Sequence, residues 1–157
     1  MEGVCMLEKI RSLLDTHGAQ YREVRHSPTR TSEESAKARG EALSVGGKAL
    51  LLKLDDSFKL FVLSAARRVD SGKIKRRFRA KSIRFANQKE LLELTGLEPG
   101  SVPPFGRPLF PLDLFVDSTV TQNDRIAFNA GSLTDSIIMN VTDYMEIARP
   151  LVFDFSK

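Results

Sequence analysis

The stretch that decides the fold is Gly46-Gly47-Lys48-Ala49-Leu50-Leu51-Leu52-Lys53-Leu54-Asp55-Asp56-Ser57-Phe58-Lys59-Leu60-Phe61-Val62-Leu63. It contains two apolar runs, 49–54 and 58–63, separated by the polar triplet Asp55-Asp56-Ser57. Short apolar runs joined by a polar turn predict a β-hairpin. Because both runs are almost continuously apolar, we expect the two strands to lie in the core of a sheet.

Helices are predicted on both sides of this hairpin. The apolar residues at 7, 10, 13 and 14 share one face of a helix from Met6 to His17, which Gly18 ends. Thr31-Ser32-Glu33-Glu34 has the form of a capping box, so a second helix is expected to run to about Arg39. Further caps predict a short basic helix from Asp70 or Ser71 to about Phe78, and a helix from Asn87 to Gly96.

Shorter extended segments complete the pattern. Strands are expected at 21–26, 82–85, 112–116, 125–128 and 136–139, and a last helix at Thr142–Ala148. Strands and helices mix without a regular βαβ rhythm, which predicts a compact α+β or mixed α/β fold. We expect one domain over residues 1–157, with a mainly antiparallel or mixed sheet, or a barrel-like sheet, flanked by helices.

Composition excludes several classes of protein. No apolar run approaches the roughly 20 residues needed to cross a bilayer, and Glu2, Glu8 and Lys9 interrupt any signal-peptide pattern, so a cytoplasmic protein is expected. Cys5 is the only cysteine and there are two histidines, which predicts neither a disulfide nor a metal site. G-x-S-x-G, Walker, H-E-x-x-H and Rossmann motifs are missing, and no cofactor is expected.

Positive charge is concentrated in one segment, residues 67–84, which we call the basic window. It contains nine lysines and arginines against the single acid Asp70, in a chain of net charge +4. Such a window favours contact with a phosphate backbone, and the candidate contacts are Lys73, Arg76, Arg77 and Arg79. The alternative is a solvated helix face that only keeps the protein in solution.

Lys48 stands at the entrance to the first hairpin strand, after two glycines. An ammonium group beside an apolar strand is costly without a partner, and a phosphate or carboxylate would supply one. The alternative is a lysine whose side chain extends from the strand end into solvent.

The segment Gly96–Gly106 contains three glycines and three prolines and no lysine or arginine. These residues predict a stiff loop with exposed backbone groups. Asn129-Ala130-Gly131-Ser132 follows a predicted strand and offers short-range donors and acceptors to a small polar group. An ordinary turn has the same composition, so that alternative stays open.

The order of these clusters resembles a known family. Lys48 precedes a buried strand, Gly100-x-x-x-Pro104 lies within 100–106, and Val116-Asp117 comes before Asn129-Ala130-Gly131-Ser132. This order resembles the YbaK/ProX family of trans-acting aminoacyl-tRNA deacylases, which are similar to the editing domain of bacterial prolyl-tRNA synthetase. The resemblance extends from about Leu7 to Ala148.

The resemblance implies hydrolysis of a wrong amino acid from the 3′ end of a tRNA, most often tRNA(Pro), with prolyl-tRNA synthetase as a further partner. Lys48 would hold the terminal nucleotide, Gly100 would present backbone groups to the ester, and Gly131 and Ser132 would line the aminoacyl side. Substrate-binding positions implied in addition are Thr31, Pro104, Phe105, Gly106, Asp117, Asn129, Ala130 and Ser136. The basic window would contact the tRNA backbone.

The sequence departs from the family pattern after Lys48, where Ala49 replaces a common threonine. The polar segment 131–136 favours a small or hydroxylated amino acid such as Ser, Thr or Ala, with Cys left open. Two other functions stay open beside the deacylase. One is a catalytically silent tRNA- or partner-binding module, and the other is a hydrolase of a different aminoacyl ester.

Overall fold

The computed structural model describes residues 5–157, which form six α-helices and eight strands. In chain order these are α1 Met6–Thr16, β1 Tyr21–Arg25, α2 Ser32–Arg39, β2 Gly47–Leu54, β3 Ser57–Ser64, α3 Ser71–Phe78, β4 Ile83–Phe85, α4 Gln88–Thr95, β5 Leu114–Val116, α5 Ser118–Thr121, β6 Arg125–Asn129, β7 Asp135–Asn140, α6 Val141–Ala148 and β8 Leu151–Val152. A 3-10 turn covers Leu43–Val45. No helix of this part of the chain is long and apolar enough to span a membrane.

The predicted hairpin is present and longer than expected. β2 and β3 pair along their whole lengths, from Gly47 opposite Ser64 to Leu54 opposite Ser57. The turn is therefore only Asp55-Asp56, and Ser57 belongs to β3. Asp55 adopts a left-handed conformation, with φ of 51°, which a two-residue hairpin turn requires.

The strands form two sheets. The five-stranded sheet has the order β4-β2-β3-β5-β8, with β2 antiparallel to its neighbours and β5 parallel to β3 and β8. The three-stranded sheet, β1-β7-β6, is antiparallel. The mixed α/β class is confirmed, but the barrel-like alternative is not adopted within residues 5–157, because one isolated bridge, Gly46 with Ala127, links the sheets.

Gly47 permits this junction of the two sheets. A Cβ at Gly47 would lie 2.6 Å from Cδ1 of Ile126 on β6, closer than carbon atoms approach in folded proteins. Glycine therefore lets β2 pass close to β6. The backbone that leads into Lys48 is thus fixed between the sheets.

Local capping signals were predicted correctly. Thr31 Oγ1 accepts a hydrogen bond from Glu34 N at 3.1 Å, and the Glu34 carboxylate accepts one from Thr31 N, which completes the capping box of α2. Asn87 and Glu90 do the same for α4, and Asp70 caps α3. These caps depend on residues within one turn of helix, so the sequence alone specifies them.

Two apolar clusters stabilise the sheets. The larger one lies among both sheets, α1 and α6, and includes an edge-to-face group of Phe105, Phe128 and Tyr144. The smaller one lies on the other face of the five-stranded sheet, where Phe61 stacks on Phe115 at 5.3 Å between ring centroids. Because both faces of the five-stranded sheet are covered, β2 and β3 are apolar on both sides.

Candidate active site

A cavity of about 290 Å³ lies where α2, β2, the end of β6 and the 96–106 loop meet. Its walls are mixed, and it opens to solvent. Polar side chains and glycines stand beside the apolar residues Ala49, Leu50, Ala65, Pro99, Val102 and Leu133. The lining includes Thr31, Arg39, Lys48, Ala49, Gly100 and Asn129. A smaller cavity, of about 140 Å³, lies beyond Pro99 and Gly100 and includes the exposed ring of Phe85.

Lys48 lines the larger cavity and is half-buried on β2. Burial lowers the pKa of its ammonium group, and the positive charge of Arg68 lowers it further, while Glu33 acts in the opposite direction. Lys48 has no carboxylate within ion-pair distance among residues 5–157. The side chain is therefore a cation that an incoming anion can pair with.

The Gly/Pro loop lines this cavity with Pro99, Gly100 and Val102, while the end of the loop is buried. Gly100 lines the cavity and has φ of 86°, a conformation that glycine adopts readily. Pro104, Phe105 and Gly106 are buried in the core behind the wall. The carbonyl oxygen of Pro104 accepts a 2.6 Å hydrogen bond from the hydroxyl of Tyr144, which fastens the loop to α6.

Of the four residues 129–132, Asn129 is the one that lines the cavity. Its Nδ2 donates to the carbonyl oxygen of Gly100 at 2.7 Å and so joins β6 to the loop. Ala130 is buried, and Gly131 N donates to Ser101 O while its Cα faces Met6 of α1. Ser132 forms a turn with Asp135, at 2.8 Å between Oγ and Oδ2.

Arg39, at the end of α2, lines the cavity as well, although no sequence motif singles it out. Its side chain is buried, with Nε 2.9 Å from Ser136 Oγ and Nη2 3.0 Å from Asn129 Oδ1. Burial lowers the pKa of Arg39 to about 10. In sequence it looks like an ordinary cation at a helix C-terminus, so only the buried polar partners on β6 and β7 could have revealed it.

The remaining predicted substrate residues are spread over two places. Thr31 lines the cavity as the cap of α2, and buried Ser136 contacts Arg39 and, at 2.9 Å, His26 Nε2. Asp117 is buried away from the cavity lining, where it caps α5 and accepts hydrogen bonds from Phe155 N and Ser156 Oγ. The structure thus brings together Thr31, Lys48, Gly100 and Asn129, with Ser136 behind them.

The basic window lies mainly on α3 and the segments beside it. Arg76, Arg77 and Arg79 are exposed, whereas Lys73 is partly buried and donates from Nζ to Ser156 O at 3.0 Å. Arg77 lies over the ring of Phe153 at 4.9 Å. Among residues 5–157 there is no group of three His, Cys, Asp or Glu side chains placed to bind a metal ion.

The two sheets and the cavity at their junction define a small mixed α/β protein with a candidate binding site. Residues 26–147 match the family model of the aminoacyl-tRNA editing domain. The chain therefore belongs to this family, and the resemblance inferred from the motifs is confirmed.

Individual relatives support the same assignment. The chain is 33% identical over 156 residues to the multifunctional Ser/Thr-tRNA deacylase ProXp-y of Escherichia coli K12, covering 96% of this chain and 92% of the relative. It is also 33% identical to a proline–tRNA ligase of Bacillus licheniformis, over 78% of this chain and 21% of the ligase. A crystal structure of a candidate trans-editing enzyme for prolyl-tRNA synthetase has the same fold, with a TM-score of 0.85, 24% identity and 99% of each chain covered.

Proposed function

We propose that this protein is a trans-acting deacylase, which hydrolyses the ester of a small amino acid wrongly attached to tRNA. The observation that carries the proposal is the meeting of Lys48, Gly100 and Asn129 around one cavity in a chain of the aminoacyl-tRNA editing family. A relative that resembles the chain over 96% of its length is a Ser/Thr-tRNA deacylase.

The reaction needs a positioned water more than a protein nucleophile. The water oxygen bonds to the ester carbonyl carbon, and the electron pair of the C=O bond moves to the carbonyl oxygen. The bond to the ribose oxygen then breaks as the C=O bond re-forms, and the proton lost by water ends on that ribose oxygen. Because the ester is already activated, alignment and electrostatic stabilisation can supply much of the acceleration.

Each cavity residue has a role in this proposal. Lys48 pairs with a phosphate of the terminal nucleotide. The backbone at Gly100 borders the aminoacyl group, and Asn129 keeps that backbone in place through its 2.7 Å bond to Gly100 O. We extend the proposal to Gly131 and Ser132 as indirect contributors, since Gly131 N is bonded to Ser101 O next to Gly100.

For the substrate, we propose Ser-, Thr- or Ala-charged tRNA(Pro), with Cys as a further candidate. Thr31, Ser32 and Ser35 belong to the cavity lining, and their hydroxyl groups suit a hydroxylated or small aminoacyl group better than a large apolar one. Because one methylene is worth only about 1–3 kcal/mol in a pocket, a second hydrolytic step is physically reasonable. Relatives that are proline–tRNA ligases support tRNA(Pro) and association with prolyl-tRNA synthetase.

The test is deacylation of tRNA(Pro) charged with Ser, Thr, Ala or Cys. We expect wild-type protein to hydrolyse at least one member, and Lys48→Ala to lower kcat/KM by about 10- to 100-fold, as expected when a charge-assisted hydrogen bond is removed. Lys89→Ala, an exposed lysine on α4 outside the cavity, is the matched control and should match wild type. Hydrolysis of no member, or full activity of Lys48→Ala, contradicts the proposal.

One observation favours a second candidate, a catalytically silent tRNA-binding module. Ala49 lines the cavity next to Lys48 and supplies no hydroxyl where relatives of the YbaK/ProX type often have threonine. This candidate predicts salt-dependent tRNA binding without turnover. Turnover of any charged tRNA in the panel excludes it.

A further inference from the structure

We propose that Arg39 is a catalytic residue, whose guanidinium stabilises the negative charge that develops on the ester carbonyl oxygen. The proposal rests on the deacylase function and names a group that supports it. Arg39 reaches the cavity from the end of α2, with its side chain buried against β6 and β7.

Arg39 is a buried cation without a counter-ion. It has no carboxylate partner within 4.0 Å in the described part of the chain, and its hydrogen-bond acceptors, Ser136 Oγ and Asn129 Oδ1, are neutral. Such a charge is costly, because desolvation favours the neutral form. The charged form of Arg39 is therefore stabilised most by a ligand that brings or develops negative charge.

One nitrogen of the guanidinium is free and lies beside a residue of the cavity lining. Nε and Nη2 are used in the hydrogen bonds to Ser136 and Asn129, whereas Nη1 has no hydrogen-bond partner within residues 5–157. No fully buried side-chain nitrogen of this part of the chain lacks a partner, so Nη1 keeps some accessible surface. It lies 3.4 Å from the point that a Cβ on Gly46 would take, and Gly46 itself lines the cavity.

Two strands hold the guanidinium in one orientation. The bond from Nη2 fixes Oδ1 of Asn129 toward Arg39, and this leaves Nδ2 to donate to Gly100 O. Ser136 Oγ is bonded to Arg39 and also lies 2.9 Å from Nε2 of His26. The guanidinium is thus positioned before substrate arrives, as a preorganised donor requires.

The buried, oriented guanidinium of Arg39 suits the ester carbonyl oxygen as its partner better than the other oxygens of the substrate. A seryl or threonyl hydroxyl is neutral and needs no buried cation. A phosphate is permanently charged and heavily hydrated, and Lys48 with neighbouring Arg68 already supplies cations for one. The carbonyl oxygen becomes anionic only in the tetrahedral intermediate, so a contact with it is stronger in the transition state than in the ground state.

The experiment compares two analogues of an aminoacyl adenosine, one with a planar amide in place of the ester and one with an anionic tetrahedral phosphonate. Dissociation constants are measured for wild type, Arg39→Gln, Arg39→Lys and the control Arg22→Gln. Arg22 is an exposed arginine that donates to Arg39 O from outside the cavity. In parallel, kcat and KM are measured with the best substrate of the tRNA panel.

We expect Arg39→Gln to weaken phosphonate binding by about 100-fold and amide binding by less than about threefold, with kcat lowered by a similar factor of about 100 and KM little changed. Arg39→Lys should recover part of the phosphonate affinity, and Arg22→Gln should equal wild type. Equal weakening of both analogues, or a raised KM with unchanged kcat, overturns the inference and assigns Arg39 to ground-state binding or structure. Failure of wild type to bind either analogue or to hydrolyse any substrate contradicts the proposed function instead.

Discussion

At the scale of single residues, the ammonium group of Lys48 has an unusual setting. Burial of its side chain is the largest cause of its lowered pKa, and the charge of Arg68 is the second. Arg68 belongs to the basic window, so the window and the cavity are electrostatically coupled at this point. An anion bound there would interact with both cations.

This coupling predicts the pH dependence of ligand binding. Lys48 is protonated below its pKa, so binding of a phosphate-bearing amide analogue should weaken as pH rises through that lowered value, below the usual 10.5. Arg68→Ala removes one cause of the lowering and should move this weakening to higher pH. The measurement is a series of dissociation constants between about pH 7 and pH 10.5.

Arg67→Ala is the control for that series, since Arg67 is exposed and adjacent but is not among the causes of the shift. Arg67→Ala removes one positive charge, but the pH at which binding of the analogue is half lost should stay unchanged. If that pH is the same in wild type and Arg68→Ala, the electrostatic coupling between Arg68 and Lys48 is contradicted.

Lys48 and Arg39 illustrate what the sequence can show of such a site. Lys48 stands out because two glycines and an apolar strand surround it in sequence. Arg39 is one of 24 lysines and arginines, and its partners Asn129 and Ser136 are 90 and 97 residues away along the chain. Burial of its guanidinium depends on contacts between α2 and the three-stranded sheet, which local sequence does not encode.

At the scale of secondary-structure elements, Asp117 joins β5 and α5 to the segment that follows β8. Its carboxylate accepts hydrogen bonds from Thr119, Phe155 N and Ser156 Oγ. Burial would raise the pKa of Asp117, but these hydrogen bonds outweigh it and the pKa is lowered. The same segment pairs with the basic window, because Arg68 N donates to Lys157 O and Lys157 N to Arg68 O.

Asp117→Asn is therefore expected to destabilise the fold by about 2–3 kcal/mol, because an amide N–H₂ would replace one acceptor oxygen among buried donors. A carboxyl group whose pKa is lowered on folding stabilises the native state above its unfolded pKa of about 3.9. That contribution is lost as pH falls through the folded value. Urea denaturation at about pH 7 and about pH 3 should show a smaller difference between variant and wild type at the lower pH.

Asp154→Asn provides the comparison, since Asp154 is an exposed carboxylate of the same segment that contacts Ser118. At neutral pH, Asp154→Asn should lower the free energy of unfolding by less than about 1 kcal/mol. If both variants lose equal stability, the buried hydrogen bonds of Asp117 are not the cause.

The elements differ in how well the sequence predicts them. The caps of α2, α3 and α4 were predicted because each depends on neighbouring residues. The four-residue helix α5, the two-residue strand β8 and the 3-10 turn were not predicted. Such short elements are stabilised by distant partners, as β8 is by pairing with β5.

At the scale of the whole molecule, the uneven charge is the feature that bears on function. Within the basic window, Lys73 and Arg77 also have structural contacts, with Ser156 and Phe153. Arg76 and Arg79 are exposed. Arg68 of the same window lies close enough to Lys48 for its charge to lower the pKa of that lysine, so the window extends toward the cavity.

We predict that the pair Arg76→Ala and Arg77→Ala weakens tRNA binding to a similar degree for every aminoacyl group. The slope of log K against log salt should become shallower by about one unit for each phosphate that the variant no longer neutralises. The measurement is filter binding over a range of salt concentrations. Lys9→Ala with Lys89→Ala removes the same charge from outside the window and should retain the wild-type slope.

An unaltered slope of log K against log salt in the Arg76 and Arg77 variant would assign the window to solvation alone.

The division into two sheets could not be obtained from the sequence. The individual strands were mostly predicted, but where the two sheets meet depends on the close approach of Gly47 to Ile126. Nothing in the pattern around either residue indicates the other.

The bond between Tyr144 and Pro104 has a spectroscopic consequence. The chain has two tyrosines and no tryptophan, so its near-ultraviolet emission comes mainly from Tyr21 and Tyr144. Burial raises the pKa of Tyr144, whose hydroxyl is bonded within the core to the glycine- and proline-rich loop, whereas Tyr21 contacts Asp15 at the surface. In a Tyr21→Phe variant, the remaining fluorophore would report on whether the loop behind the cavity wall stays fastened to α6.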